Sequence, residues 1–171
     1  HPRSARTLTY RLGTISESRL IDVDPALVAC VRRAIEVTEV DFQVFEGLRD
    51  RERQRELFFK GASRTMNSHH LADRYGIGHA VDLVPYVGGR LQWQQPLCNL
   101  IAKAMRRAAV DLDVPVTWGS CWDRELQALD GANLAREVAA YSARYYRTHG
   151  TDEHPLIDGP HYQVPLNEAI A

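Results

Sequence analysis

The sequence predicts an α+β fold in which helices flank a small, mainly antiparallel sheet. Helical and strand patterns follow one another without the regular alternation of strand and helix that builds a parallel sheet. The Val-rich residues 80–87 run into Gly88-Gly89, a pair typical of the tight turn between antiparallel strands. With 171 residues, the chain has the size of one compact domain with one hydrophobic core.

Four elements are expected in the first part of the chain. They are an arm or short first element at 1–23, a helix at 25–38, a strand at 40–47 and a helix at 51–60. Asp24 can cap the first of these helices, and Pro25 suits its first position. Alternating apolar and polar residues predict the strand. Asp50 can cap the second helix, and Gly61 stands where that helix would terminate.

The second part of the chain is expected to contain three strands, an amphipathic helix and a longer helix-prone segment. The strands are predicted at 80–87, 115–118 and 161–164, the amphipathic helix at 96–108 and the helix-prone segment at 124–149. Apolar residues from Leu97 to Ala108 recur at helical spacing, which predicts one buried face. Asp130-Gly131 is a weak point at which the helix-prone segment can split into two helices.

The composition excludes several classes of partner. Lysine and arginine total 21 against 22 aspartates and glutamates, so no overall charge favours binding to nucleic acid. No apolar run approaches the roughly 20 residues that cross a bilayer, and the first residues lack the pattern of a signal peptide. The three cysteines form no CxxC pair and are expected to be reduced thiols. We expect a monomer that neither binds nucleic acid nor inserts into a membrane.

Two segments concentrate residues that could bind a metal ion. The candidates are His69, His70, Asp73, His79 and Asp82 in the first segment, and His154, Asp158 and His161 in the second. A hydrolytic zinc ion needs three such ligands and an open fourth position. Asp82 lies inside an apolar strand, where its charge is costly unless a cation faces it. Asp158 and His161 are three residues apart across a Gly-Pro turn, which fits a general base beside a ligand.

Four motifs stand out along the chain: EGLRDRERQRELFFKGA, SRTMNSHHL, GHAVDLVPYVGGRLQW and DGPHYQ. Together they resemble the phage endolysin type of L-alanyl-D-glutamate endopeptidase, which belongs to the zinc D,D-peptidase and hedgehog-like superfamily. The resemblance runs from about Asp24 to Trp118 and resumes at Asp158. The resemblance implies the fold of this superfamily, and it implies that the enzyme cleaves the L-Ala-D-Glu bond in the peptidoglycan stem peptide. Such an enzyme is made in the host cytoplasm and acts at the bacterial cell wall.

The superfamily pattern also implies a set of site residues. Its Ser-x-His and Gly-x-Ala-x-Asp elements match Ser68, His70, Gly78, Ala80 and Asp82 in this chain. The resemblance therefore implies one zinc ion held by His70, Asp82 and His161, with Asp158 as general base or acid. His79 occupies a variable position of the pattern. Because residues three apart on a strand face opposite sides, it is expected to be a neighbour of the site rather than a ligand.

An arginine and two polar residues complete the expected site. Arg49 corresponds to an arginine that the superfamily uses near the substrate, where it could pair with a carboxylate or with the oxyanion of the tetrahedral intermediate. The alternative is a surface ion pair with Glu46 or Asp50. Gln54 and Ser68 are expected to support the site through hydrogen bonds.

The chain departs from the related endolysins in three places. Residues 71–77 make the gap after the first histidine longer, which suggests a loop over the site and leaves His69 as an alternative ligand. The segment 124–149 is expected to be an inserted lid, a substrate wall, a contact surface or a helical hairpin that only packs on the domain. Cys121 stands where related proteins tend to have Asp, and Asp123 could compensate.

Two other functions remain open from the sequence. One is a D,D- or L,D-carboxypeptidase of the same superfamily, which would trim stem peptides instead of cutting near their start. The other is a non-catalytic zinc module that binds cell-wall fragments or a partner. Retention of Asp158 argues against the second, because a binding module needs no general base.

Overall fold

The computed structural model describes residues 8–166 and confirms the α+β class. Five helices span Thr14–Arg19 (α1), Pro25–Val37 (α2), Arg51–Phe59 (α3), Gln95–Leu112 (α4) and Leu134–His149 (α5). Six strands span Phe42–Glu46 (β1), Ala80–Val87 (β2), Arg90–Leu91 (β3), Thr117–Trp118 (β4), Cys121–Glu125 (β5) and His161–Gln163 (β6). None of the described helices is both long enough and apolar enough to cross a membrane.

The sheet is antiparallel throughout. Its strand order is β1-β2-β6-β4-β5, and β3 pairs with the far end of β2. The turn between β2 and β3 uses the predicted glycine pair, with φ of 62° at Gly88 and 76° at Gly89. Both values lie in the left-handed region that a two-residue hairpin turn requires and that glycine adopts without strain. The last of the described strands, β6, lies in the middle of the sheet between β2 and β4.

One hydrophobic core joins α2 and α4 to one face of the sheet. The core includes Leu27 and Val31 from α2, Met105 from α4, and Val81 and Leu83 from β2. Val81 and Leu83 are two apart and point to the same face, so the residue between them points to the opposite face. Side chains of β2 thus alternate between an apolar face, which the helices cover, and a second face, which carries Asp82.

The N-terminal segment contains a short helix attached to the sheet. The hydroxyl of Ser16 accepts a hydrogen bond of 3.0 Å from the backbone N–H of Val44, and Arg19 donates one of 3.0 Å to the Val44 carbonyl. The sequence predicts either an arm or a short first element at residues 1–23, and α1 is such a short element. Residues 1–7 lie outside the described part of the chain.

The helix-prone segment 124–149 is helical only in its second part. Arg124 and Glu125 complete the edge strand β5, and Leu126–Ala128 form a single 3-10 turn. The expectation of helix from residue 124 is wrong there, because the chain folds back on β4 in a tight hairpin. From Leu134 onwards, α5 packs on β5 and α4 through Leu134 and Tyr141.

Candidate metal centre

The pairing of β2 with β6 brings two candidate ligands together. Asp82 and His161 are direct partners in the antiparallel register. Because Val81 and Tyr162 point into the core, the side chains of Asp82 and His161 share the opposite face. Residues that are far apart in the sequence therefore meet through backbone hydrogen bonding of the sheet.

His70 reaches the same point from the loop before β2. Its side chain is almost fully buried, and its Nδ1 lies 2.8 Å from the carbonyl oxygen of Gly47. A carbonyl only accepts, so Nδ1 carries the proton and Nε2 presents its lone pair. The backbone N–H of His70 donates to the Ser68 hydroxyl at 3.2 Å, and its carbonyl accepts from the N–H of Arg49 at 2.8 Å. These contacts fix the loop against the start of α3.

The ligand atoms of these three residues converge. Oδ1 of Asp82 lies 3.3 Å from Nε2 of His70 and 3.3 Å from Nδ1 of His161, and all three ligand atoms lie within 4.8 Å of one another. Oδ1 is buried, yet within residues 8–166 it accepts no hydrogen bond of normal geometry. A buried carboxylate oxygen without a donor is costly, and a cation at this point would satisfy it. Two imidazoles and one carboxylate match the donor set of catalytic zinc sites.

His70, Asp82 and His161 are called the triad below. The charges around the triad favour the ionised form of the Asp82 carboxylate. Burial alone would raise the pKa of Asp82, but the neighbouring imidazoles of His70 and His161 hold that pKa well below its usual range. Burial also opposes a charged imidazole at His161, yet the contact with Asp82 raises the pKa of His161 above its ordinary value. The site thus holds an ionised carboxylate between two imidazoles, and a carboxylate in that state can bind a divalent cation.

The other two histidines of the segment 68–83 lie outside the triad. Nδ1 of His69 faces the carbonyl oxygen of Val164 at 3.1 Å, and the alternative first ligand is not part of the group whose ligand atoms converge. The ring of His79 lies between two carboxylates, 3.1 Å from Asp24 and 2.9 Å from Asp73. His79 is therefore a neighbour that ties the loop 71–77 to the start of α2.

Asp158 is placed beside the triad by a tight turn before β6. Its backbone N–H donates to the Gly119 carbonyl at 2.8 Å, and the N–H of Gly119 donates to the His161 carbonyl at 2.8 Å. Trp118 donates its indole N–H to the carbonyl of Gly159 at 2.7 Å and holds the same turn. Burial, and secondly the negative charge of Asp82, raise the pKa of Asp158 above its ordinary value. A carboxylate with a raised pKa is suited to accept and return a proton.

The triad opens into a cleft of about 470 Å³. Asp158, Arg49 and Ser68 line it together with the metal-binding candidates. Aromatic side chains line it as well, and Phe45 and Trp93 stack edge to face with ring centroids 5.1 Å apart. The cleft therefore combines a polar centre with apolar walls, which is the usual composition of a site for a small molecule or peptide.

Arg49 is mostly enclosed by protein partners. Its guanidinium donates two hydrogen bonds of 2.7 Å to Glu46 and one of 2.7 Å to Gln54, and Nη2 lies 3.7 Å from Oδ2 of Asp82. The ion pair with Glu46, expected as the alternative, is thus present, but it is partly buried and its arginine also contacts Asp82. Gln54 is fully buried and donates its amide to the Ser63 hydroxyl at 2.9 Å. Through its side-chain oxygen, which accepts from Nη1 of Arg49, it holds the guanidinium in place.

Two contacts to His161 were not expected from the sequence. Oε1 of Gln163 lies 2.9 Å from Nε2 of His161, and the ring of Trp122 packs on the imidazole with centroids 5.1 Å apart. Spacing could have indicated Gln163, because residues two apart on a strand share a face. No local pattern could have indicated Trp122, which comes from a strand that does not adjoin β6.

Comparison with known proteins identifies similar chains. The family model described as phage L-alanyl-D-glutamate peptidase matches residues 8–137. The L-alanyl-D-glutamate peptidase of Escherichia phage T5 is 27% identical over 120 residues, which cover 68% of this chain and 84% of that protein. The crystal structure of the Serratia marcescens L-Ala D-Glu endopeptidase ChiX matches with a TM-score of 0.67 and 31% identity, over 98% of this chain and 100% of that one. The resemblance stated from the motifs is confirmed.

Proposed function

The chain belongs to the family of phage L-alanyl-D-glutamate peptidases, and from this premise we propose that it hydrolyses the L-Ala-D-Glu bond of the peptidoglycan stem peptide with the help of one zinc ion. The proposal depends on the convergence of the ligand atoms of His70, Asp82 and His161. The buried Oδ1 of Asp82 lies among them and accepts no hydrogen bond from the described residues. Zinc is favoured over hard cations such as magnesium because two of the three donors are imidazoles.

In the proposed mechanism the metal centre activates water and the scissile carbonyl, and Asp158 transfers the proton. A zinc ion bound by the triad would lower the pKa of water and polarise the scissile carbonyl. Asp158 takes the proton of the attacking water on a carboxylate oxygen and delivers it to the departing amine nitrogen. The raised pKa of Asp158 supports this role, since the group must hold the proton between the two steps. The walls of the cleft bury the peptide around the reacting bond.

We assign to Arg49 the binding of negative charge on the substrate or in the transition state. Its bonds to Glu46 and Gln54 leave N–H groups on both terminal nitrogens, and the side chain lines the cleft. The free α-carboxylate of a γ-linked D-Glu and the oxyanion of the tetrahedral intermediate are both suitable partners. The fixed orientation of the guanidinium supports this role, because no side-chain freedom is lost on binding.

We further propose that the protein acts as a monomer at the bacterial cell wall.

The proposed reaction is tested by digesting purified peptidoglycan with the protein and identifying the products by mass spectrometry. An endopeptidase creates new amino termini at D-Glu, a carboxypeptidase releases single D-amino acids, and a binding module releases nothing. Chelation should stop the reaction, and zinc should restore it. A control with His149→Ala, an exposed histidine outside the triad, should cleave like the unmodified protein.

A further inference from the structure

His161 presents its two ring nitrogens to different partners. Nδ1 lies 3.3 Å from Oδ1 of Asp82, and Nε2 lies 2.9 Å from Oε1 of Gln163. A neutral imidazole carries one proton, so Nδ1 can offer a lone pair to a metal ion only when the proton is on Nε2. The amide oxygen of Gln163 accepts a hydrogen bond from Nε2–H. Its position therefore favours the tautomer that the metal centre needs.

We propose that Gln163 is a positioning residue that sets the tautomer and the ring orientation of His161. The inference rests on the proposed metal centre, and it concerns a residue that does not touch the ion. Gln163 lies two residues after His161 on β6, so both side chains share one face of the sheet. Its cross-strand partner on β2 is Ala80, whose small side chain leaves room for the amide to lean towards the imidazole.

The other histidine of the triad is supported in a different way. Nδ1 of His70 donates to the backbone carbonyl of Gly47 at 2.8 Å, a contact that no side-chain substitution removes. Among the described residues, Gln163 is therefore the side chain that makes the corresponding contact for the second histidine. Partners of this kind orient ligand imidazoles, and their loss typically weakens metal binding by about 10–100-fold.

The test compares three variants of the full chain by competition of zinc with a chromophoric chelator. Gln163→Leu removes the acceptor, and the Kd for zinc should rise by about 10–100-fold. Gln163→Glu keeps an acceptor oxygen at the same place, and its Kd should stay well below that of Gln163→Leu. Gln43→Leu is the matched control, since Gln43 lies on β1, lines a different cavity and should not change the Kd.

A second readout uses the unmodified protein and does not depend on any variant folding. Nitrogen-15 spectra of the zinc-loaded protein should show His161 with zinc on Nδ1 and the proton on Nε2. The reverse tautomer would overturn the proposal, as would an unchanged Kd in Gln163→Leu. If the unmodified protein binds no zinc through the triad, the proposed metal centre itself is wrong. The two failures are therefore distinguishable.

Discussion

Asp82 and His161 are direct partners across β2 and β6, and Oδ1 of Asp82 lies 3.3 Å from Nδ1 of His161. Backbone pairing of two central strands sets this distance, so the pair is held as rigidly as the sheet itself. Only His70 reaches the triad from a loop, and its ring is fixed by the carbonyl of Gly47. A preformed set of ligands of this kind loses little conformational entropy when a metal ion binds.

Asp82→Asn should weaken zinc binding by more than about 100-fold, which exceeds the usual effect of losing a supporting residue. The substitution keeps the size of the side chain and removes the negative charge that faces both imidazoles. Calorimetric titration with zinc measures the loss, and far-UV circular dichroism verifies the fold. Asp152→Asn, at an exposed position away from the cleft, is the matched control. Undiminished zinc affinity in Asp82→Asn would contradict the assignment.

Asp158→Asn should lower the rate of peptidoglycan hydrolysis by about 100–10,000-fold, the range typical for loss of a general base. The zinc content should remain that of the unmodified protein, because Asp158 is not one of the three ligands. Turbidity of a cell-wall suspension and metal analysis of the same sample give the two readouts. Lysis at the unmodified rate would show that another group transfers the proton.

Gly119→Ala should reduce both stability and activity. A Cβ at this position would overlap the carbonyl oxygen of Asp158 and lie 2.9 Å from Cβ of His161, so the turn that carries both residues must shift. Gly13→Ala is the control, because a Cβ there meets nothing within 4 Å. Thermal unfolding and hydrolysis assays on both variants test the difference. Equal behaviour of the two alanine variants would argue against a tight approach at Gly119.

Asp123→Asn should lower the free energy of unfolding at pH 7 by at most about 1 kcal/mol, since its partner Arg144 forms a partly exposed pair. Hydrogen bonds from Arg144 hold the pKa of Asp123 below its ordinary value. The stabilisation is therefore complete above the unfolded pKa of about 3.9 and disappears as the pH falls through the lower folded pKa. Urea unfolding at pH 7 and pH 3 should show a smaller difference between the proteins at pH 3 than at pH 7.

Much of the site could be predicted because each of its two segments carries a recognisable local pattern. Strand 80–87 was predicted with the bounds that the structure has, and the cost of a charge inside it singled out Asp82. Hydrophobic spacing and capping residues located α2 and α3 within one or two residues. The choice of His70 over His69 needed the resemblance, because adjacent histidines are equivalent in spacing alone.

The parts that could not be predicted depend on contacts between distant elements. Arg49 could not be assigned to a buried pair with Glu46 without the bulge that ends β1. The start of the segment 124–149 has helix-forming residues, but its pairing with β4 at the sheet edge prevails over their local preference. Whether 124–149 shapes the substrate site and whether the loop 71–77 covers it stay predictions.

We propose that one zinc ion lies between His70, Asp82 and His161. Anomalous X-ray diffraction at the zinc absorption edge, from crystals of the zinc-loaded protein, would locate this ion. We predict a single strong peak at about 2.0–2.2 Å from Nε2 of His70, Oδ1 of Asp82 and Nδ1 of His161. A peak next to other residues, or no peak within bonding distance of these three atoms, would show that the proposed metal centre is wrong.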